Sequence, residues 1–398
     1  MRRYRIDLPY TFRPPKPWDW LRPAAIAVSD ARFLRKRFNV REVVTKGWER
    51  VAELARKGDS VLLAPNHSDH ADPHVLVHAG LRHDLALRFM AARELFDRGA
   101  AQSWVLQRMG CFSVDRDGPD IAAIKTAIAV LAKGRCPLVV FPEGEIYHHH
   151  EQLDPLHEGV ASILLRVAGK LPDGREAWLV PLALRFRHDP EVEATFGERL
   201  SRLEDRIGWT PRPAMPIDER IIRLGTGILS LKEVEYLGAA GQGSLADRLD
   251  AMCRQLLEEV EGRHGKDERA ATPPERVRGL RYRIRRRLLD ADNPPGKEER
   301  DALQEDLDRV FTALQAHSYP GDYLLSDPSL DRRAETIMKL EEDLLGDCVY
   351  PAGRVASAVA GEPIPVSRML AGGKITPKSS TELTALLEME LSALLTRA

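Results

Sequence analysis

Cysteine is scarce in this chain: Cys111, Cys136, Cys253 and Cys348 are the four among 398 residues, far apart and with no CxxC pair. That excludes a disulfide framework and points to reduced, buried thiols in a cytoplasmic protein. No run of about 18 apolar residues occurs, which argues against a transmembrane helix. The basic N-terminus, MRRYRIDLPYTFRPPKPWDW, lacks the apolar stretch and small-residue cleavage site of a secretory signal. Net charge is missing as well. At −1, no global field draws the chain to nucleic acid or any other polyanion. What is present is an ordinary soluble composition, 43% hydrophobic and 30% charged, with length for one large domain or two.

The charge is unevenly spread. Residues 1–50 hold thirteen Lys and Arg against five Asp and Glu, a local net of +8. Within them Ala24, Ala27, Ala31, Leu34 and Phe38 recur at helical spacing, beside Arg32, Arg35, Lys36 and Arg37, and Trp18 and Trp20 precede them. Two readings follow. One is a surface helix packing its small face on the core. The other is an interfacial helix on an anionic bilayer, with the tryptophans at headgroup depth.

From residue 45 to about 190, β-rich apolar runs alternate with helical patterns. Ser60–Pro65, Leu85–Ala91, Cys111–Val114, Pro137–Pro142 and Ala177–Phe186 read as strands. Trp48–Lys57, Arg93–Met109, Pro119–Lys133 and Pro155–Lys170 read as helices. The alternation predicts an α/β fold with a mostly parallel sheet flanked by helices, whose sites gather at the carboxyl ends of the strands. After about residue 235 the patterns are helical. One helix carries Leu245, Leu249, Met252, Leu256 and Val260, and the final one carries Leu383, Leu386, Leu387 and Leu394. The chain thus divides into a basic leader (1–44), an α/β domain (45–235) and a helical C-terminal region (236–398). Seven arginines between Arg276 and Leu289 read as a solvated helix face balanced by acidic neighbours.

Three polar turns follow strands. In the first, APNHSDHADPH (Ala64–His74), three histidines crowd behind Val61–Ala64, and Asp72-Pro73 has the form of an N-cap with proline at N1. The second, after Cys111–Val114, contains Asp115-Arg116-Asp117, where the arginine either pairs with its flanking aspartates or faces a ligand. The third, FPEGE, places Glu143 at the same edge, either as a surface turn or as part of a site. Together they supply a His–Asp pair, an arginine and a glutamate. Such a set suits transfer to a hydroxyl on a phosphate-bearing molecule: the histidine takes the proton, Asp72 fixes its tautomer, and the arginine holds the phosphate.

These blocks resemble the glycerolipid acyltransferase family, which includes the lysophosphatidate acyltransferases. NHSDHAD matches its N-H-x4-D block, GCFSVDR its second, FPEG its third, and LVPLAL (Leu179–Leu184) its fourth, in the right order over residues 66–184. The resemblance implies His67 as general base and Asp72 as its partner. It implies Arg116, Glu143 and Gly144 on the acceptor side, Asn66 among the substrate-binding residues and Pro181 shaping the acyl-donor side. It also implies no metal and no cofactor beyond an acyl-CoA or acyl-carrier-protein thioester as co-substrate. The acceptor would be a lysophospholipid or another alcohol, and the enzyme would be peripheral to an anionic membrane surface. One departure stands out: the family's usual Thr-Arg or Thr-Ser after FPEG is here Glu145-Ile146. A hydroxyl and a positive charge are thereby lost from the acceptor turn, and Arg116 is left to carry more of the recognition.

Two other readings use the same residues. His67, His70 and His74 with His148–His150, Asp69 and Asp72 form the ingredients of a binuclear metal hydrolase, although H-x2-H-x-D is not the spacing such hydrolases use. The substitution at Glu145-Ile146 also fits a lipid-binding homologue without catalysis.

Overall fold

All six residues of Ser60–Pro65 are buried, and in this computed structural model they form a strand with a neighbour on each side. A strand covered on both faces reads as an unbroken apolar run, which is why Val61–Ala64 shows no alternation. The structure describes residues 8–172, 174–268, 270–370, 375, 376 and 378–397. The first seven residues of the expected leader, with three of its arginines, lie outside the described residues.

The strands are β1 (Val40–Lys46), β2 (Ser60–Pro65), β3 (Arg88–Ala92), β4 (Cys111–Val114), β5 (Leu138–Val139), β6 (Ala177–Arg187), β7 (Arg354–Ala360) and β8 (Ile364–Pro365). They join in one sheet, ordered β1-β7-β6-β2-β5-β3-β4, with β8 also beside β6. The run β6-β2-β5-β3-β4 is parallel throughout, while β7 and β8 lie antiparallel to β6 and β1 lies parallel to β7. Helices flank it, as the alternating pattern predicts. On one face, Leu62 and Ala64 of β2 pack with Ala123, Ala127 and Leu131 of the helix Ile121–Lys133, with Leu164 of Gly159–Ala168, and with Leu383 and Leu387 of the last helix. The helix Ile121–Lys133 is fixed at both ends. Asp120 accepts from the Ala123 N–H at 2.9 Å, and Gly134 closes it at φ 63°, where a Cβ would run into the Gly58 carbonyl.

Three features differ from the sequence expectation. The strand read over Pro137–Pro142 pairs for only two residues, because Pro142 and Gly144 turn the chain away from the sheet. The helix read over Arg93–Met109 is two, Arg93–Asp97 and Ala100–Arg108. The division of the chain also differs. One compact unit is Thr11–Asp189 with Tyr350–Ala398, and the other is Pro190–Val349 with the end before Thr11. Residues 350–398 return β7 to the sheet between β1 and β6 before the expected final helix, Ser379–Arg397.

Proline in mid-strand normally breaks a ladder. Pro181 sits in β6, with Ala64 of β2 as its parallel partner. On the other edge it falls between Leu179, which pairs with β8, and Leu182, which pairs with β7. No N–H is needed across that gap, and the Pro181 carbonyl still accepts from Gly361 at 2.8 Å.

The leader is tied into the sheet unit. Arg13 and Ser113 exchange two hydrogen bonds, and the Lys16 and Trp18 N–H groups donate to the carbonyls of Gln107 and Arg108. Arg88, itself buried, holds Asp19 at 2.8 Å. The helix Arg22–Ser29 and the π-turn after it bury Ile26 and Leu34, and Phe38 follows them inward, whereas Ala24, Ala27 and Ala31 are exposed. The small face thus points outward, the reverse of the packing read from the sequence, because the larger Ile26 has more apolar area to remove from water. Leu34 and Phe38 are not surface residues, and Trp20 is, at 76% exposed.

The second unit is helical, with Leu245–His264, Pro273–Leu288 and Lys297–His317 sharing a core around Leu256, Leu280 and Val310. Its arginine-rich helix is balanced by Glu261 on Arg276 and Glu299 on Arg287. Among the described residues no helix is long and apolar enough to cross a membrane.

Candidate active site

The parallel run puts the carboxyl ends of β2, β4 and β5 on one edge, and each is followed by one of the polar turns. Asn66 leaves β2 still paired with β6. Its N–H donates to the Leu182 carbonyl, and its side-chain amide both accepts from the Leu184 N–H at 2.7 Å and donates to the Leu184 carbonyl at 3.0 Å. Expected on the acceptor side, Asn66 is buried and splices the turn to the sheet.

His67 comes next. Its Nδ1 is 2.9 Å from Asp72 Oδ2, and the same oxygen accepts from the Ser68 and Asp69 N–H groups, each at 2.9 Å. Three donors converge on Oδ2, so Nδ1 carries the hydrogen and Nε2 is the bare nitrogen. Among the described residues Nε2 has no hydrogen-bond partner, and 14% of the side chain is exposed. Burial, then the neighbouring His70 and Arg116, holds the imidazole down at about 3, so it is neutral near pH 7. Burial and the Asp69 charge push Asp72 upward, against the pull of the two backbone donors. Asp72 opens the helix Asp72–Arg82 with Pro73 behind it, but its carboxylate turns back to the loop instead of capping that helix.

The third turn wraps His67. The Phe141 ring stacks on the imidazole at 3.9 Å, and the Tyr147 N–H donates to the His67 carbonyl at 3.4 Å. Glu143, 2% exposed, accepts from the His67 N–H at 2.6 Å through one oxygen and from the Asp154 N–H at 3.1 Å through the other. Burial pushes its carboxyl up to about 8. Gly144 adopts φ 77°, and a Cβ there would crowd the His157 ring at 3.1 Å. That turn aims the Gly144 carbonyl at Arg116, whose Nη1 donates to it at 2.6 Å. The Arg116 guanidinium also lies 2.9 Å from Glu145 and 3.6 Å from Glu94. Both Arg116 and Glu145 act on the charge of His67, the arginine lowering and the glutamate raising its proton affinity.

Asp69, read from the sequence only as an ingredient of the metal reading, pairs here with Arg354, which the sequence did not single out. Asp69 Oδ1 accepts from the Ala71 N–H at 2.7 Å, and its Oδ2 accepts from Arg354 Nη2 at 2.5 Å. Burial alone would raise Asp69, but the Arg354 guanidinium and the Ala71 N–H hold its carboxyl below the usual value. Arg354 is fully buried, sandwiched against the rings of Phe186 and Tyr350 at the start of β7. No local pattern in the sequence betrays this partnership. The histidines of the metal reading are used differently: His67 Nδ1 faces Asp72, His74 Nδ1 lies 2.8 Å from the Ser29 hydroxyl, and His149 Nε2 lies 3.0 Å from Asp154. His74 stacks on Phe33, and burial lowers it to about 4. His70 and His148 meet edge to face at 5.6 Å.

A family model described as Acyltransferase matches residues 44–185, from within β1 through most of β6. Comparisons with curated proteins and with solved structures give no match. His67, Asp72, Arg116, Glu143, Gly144 and Pro181 all lie inside the matched stretch, whereas Arg354 lies beyond it. Residues 44–185 thus form an acyltransferase segment that matches the glycerolipid acyltransferase family, of the lysophosphatidate-acyltransferase type.

Proposed function

We propose that the protein moves a fatty acyl group from a coenzyme A or acyl-carrier-protein thioester to a hydroxyl of a glycerolipid-type acceptor, with His67 as general base. The observation that carries this reading is His67 Nδ1 at 2.9 Å from Asp72, in a neutral imidazole whose Nε2 is left bare. Nε2 accepts the acceptor's hydroxyl proton as its oxygen attacks the thioester carbonyl. The C–S bond breaks as the ester C–O bond forms, and the proton passes to the departing thiolate. A direct attack of this kind needs no acyl-enzyme, consistent with the lack of a G-x-S-x-G elbow in the sequence. Glu143 fixes the backbone of the base, and Asp72 its tautomer.

A lipid acceptor requires contact with a bilayer. Trp18 stacks with Trp20 at 6.0 Å and meets Trp104 edge to face at 5.3 Å, with the Arg108 guanidinium over both Trp18 and Trp104. All three tryptophans are exposed. This aromatic–basic cluster supports an interfacial seat on an anionic membrane. The chemistry is tested by thiol release from a long-chain acyl thioester together with ester formation. His67→Ala is expected to reduce turnover by about 10²–10⁴-fold, the usual worth of a positioned general base. Near wild-type turnover in that variant, or a loss restored by zinc, would refute the mechanism.

A further inference from the structure

In the structure the Arg116 guanidinium already carries two carboxylates, Glu145 at 2.9 Å and Glu94 at 3.6 Å, besides the Gly144 carbonyl. The guanidinium's charge is thus already shared between two carboxylates. The cluster lies beside the base, since Arg116 and Glu145 both act on the charge of His67. Glu145 is held there by its own turn: Gly144 at φ 77° reverses the chain, and the Tyr147 N–H pins the far side to the His67 carbonyl. Arg116 and Glu145 remain about one-fifth exposed, at 22% and 21%, so a substrate can reach them.

A phosphate monoester brings a charge of about −1.5 to −2 near pH 7 and needs unengaged donors. Here Arg116 Nη1 is already taken by Glu145 and the Gly144 carbonyl and its Nε is buried, so a phosphate would compete with Glu145 and stand next to two carboxylates at a partly buried site. A head group of hydroxyls meets the opposite situation. It donates to the Glu145 carboxylate, accepts from Arg116, and leaves the ion pair intact.

We propose that the acceptor head group recognised by Arg116 and Glu145 is uncharged and hydroxyl-bearing, with no phosphate beside the acylated hydroxyl. This inference rests on the acyl-transfer reading and narrows its substrate. A mono-acylated polyol such as 1-acylglycerol is the simplest member of the class. In the transfer its hydroxyl loses a proton to His67, the thioester C–S bond breaks, and a neutral diester and a free thiol result.

The test compares 1-acylglycerol with 1-acylglycerol 3-phosphate of the same chain length, in the same neutral mixed micelles, with thiol release as the readout. The wild-type kcat/KM is expected to be at least about tenfold higher for the uncharged acceptor. Glu145→Gln is expected to shrink that ratio about tenfold, chiefly by lowering KM for the phosphate acceptor. Calorimetry with glycerol 3-phosphate adds a readout that needs no turnover: no binding to the wild-type chain and measurable binding to Glu145→Gln. A wild-type preference for the phosphate acceptor, or a ratio that Glu145→Gln leaves unchanged, overturns the inference while acyl transfer stands. Absence of thiol release with either acceptor overturns the acyl-transfer reading and this inference with it.

Discussion

Arg354 and Asp69, 285 positions apart in the sequence, meet at 2.5 Å inside the protein. The arginine opens the strand β7, and the aspartate stands midway between His67 and Asp72 in the loop after β2. Asp69 also ties the loop to itself, through the Ala71 N–H on its side chain and the Asp72 N–H on its carbonyl. The turn that bears His67 is thus braced from a strand that lies outside the matched family segment.

Removing the guanidinium leaves a buried carboxylate without its counter-charge. Arg354→Met is expected to cost about 3–5 kcal/mol by urea denaturation and to lower kcat. Adding Asp69→Asn should return a large part of the stability, because the orphaned charge is gone. If the double variant is less stable than Arg354→Met, the pair is not coupled through charge.

The pH profile of stability has two limbs. His67 is held at about 3 against an ordinary 6.5, so the unfolded chain binds a proton that the native chain refuses as pH falls through 6.5 towards 3. Stability therefore falls with acid over that window. Glu143 is raised to about 8 from 4.5, so the native chain binds the extra proton and stability falls as pH rises from 4.5 through 8. Between 4.5 and 6.5 the His67 and Glu143 contributions oppose each other, and His74, held at about 4, adds a further fall with acid. Each limb slopes by up to about 1.4 kcal/mol per pH unit. Urea midpoints across pH 3–9 should show both limbs, with the acid limb reduced in His67→Ala and the alkaline limb reduced in Glu143→Gln.

With His67 as the proposed base, the same depression predicts that kcat/KM lacks a break at 6.5, since its imidazole stays neutral well below that pH. A break there that disappears in a variant with fewer nearby cations would instead place His67 at its ordinary value.

Glu143 serves two backbone donors, at His67 and at Asp154. A glutamine offers one acceptor oxygen and one amide that cannot accept. Glu143→Gln is expected to destabilise by about 1–3 kcal/mol near pH 6 and to lower kcat with little change in the acceptor KM. A change confined to KM would move Glu143 from positioning to substrate contact.

For membrane association, point substitutions are the appropriate probe, because Ile26 and Leu34 are buried and deleting the leader would open the core. Trp20→Ala with Trp104→Ala should reduce sedimentation with anionic liposomes at low salt without shifting the urea midpoint, since both side chains are exposed. Unchanged liposome binding would show that the cluster is not the membrane contact.

The sheet's parallel centre was legible because fully buried strands leave plain apolar runs, as in Ser60–Pro65 and Cys111–Val114, both found at the bounds read from sequence. β7 was not. RVASAVA alternates, but its alanines and serine carry little strand preference, and its partners lie some 170 to 310 residues earlier. In the turns, residue types announced chemistry while contacts did not. His67–Asp72 could be read from a spacing of five, yet Glu145 on Arg116 depends on how two loops meet. The outward-facing alanines of the leader misled for a similar reason: periodicity identifies a stripe, and burial is decided by which stripe offers more area.

The return of β7 to the sheet sets an order of events at the ribosome. When residue 189 has been made, β6 and β1 both exist but lack the strand that will join them, and another 160 residues must be translated before it arrives. Over that interval the nascent sheet presents open edges, and the loop bearing His67 lacks its Arg354 brace. Completion of the candidate site is therefore a late event in this protein's synthesis, and a chain released before β7 would carry every recognisable motif without the support that shapes them.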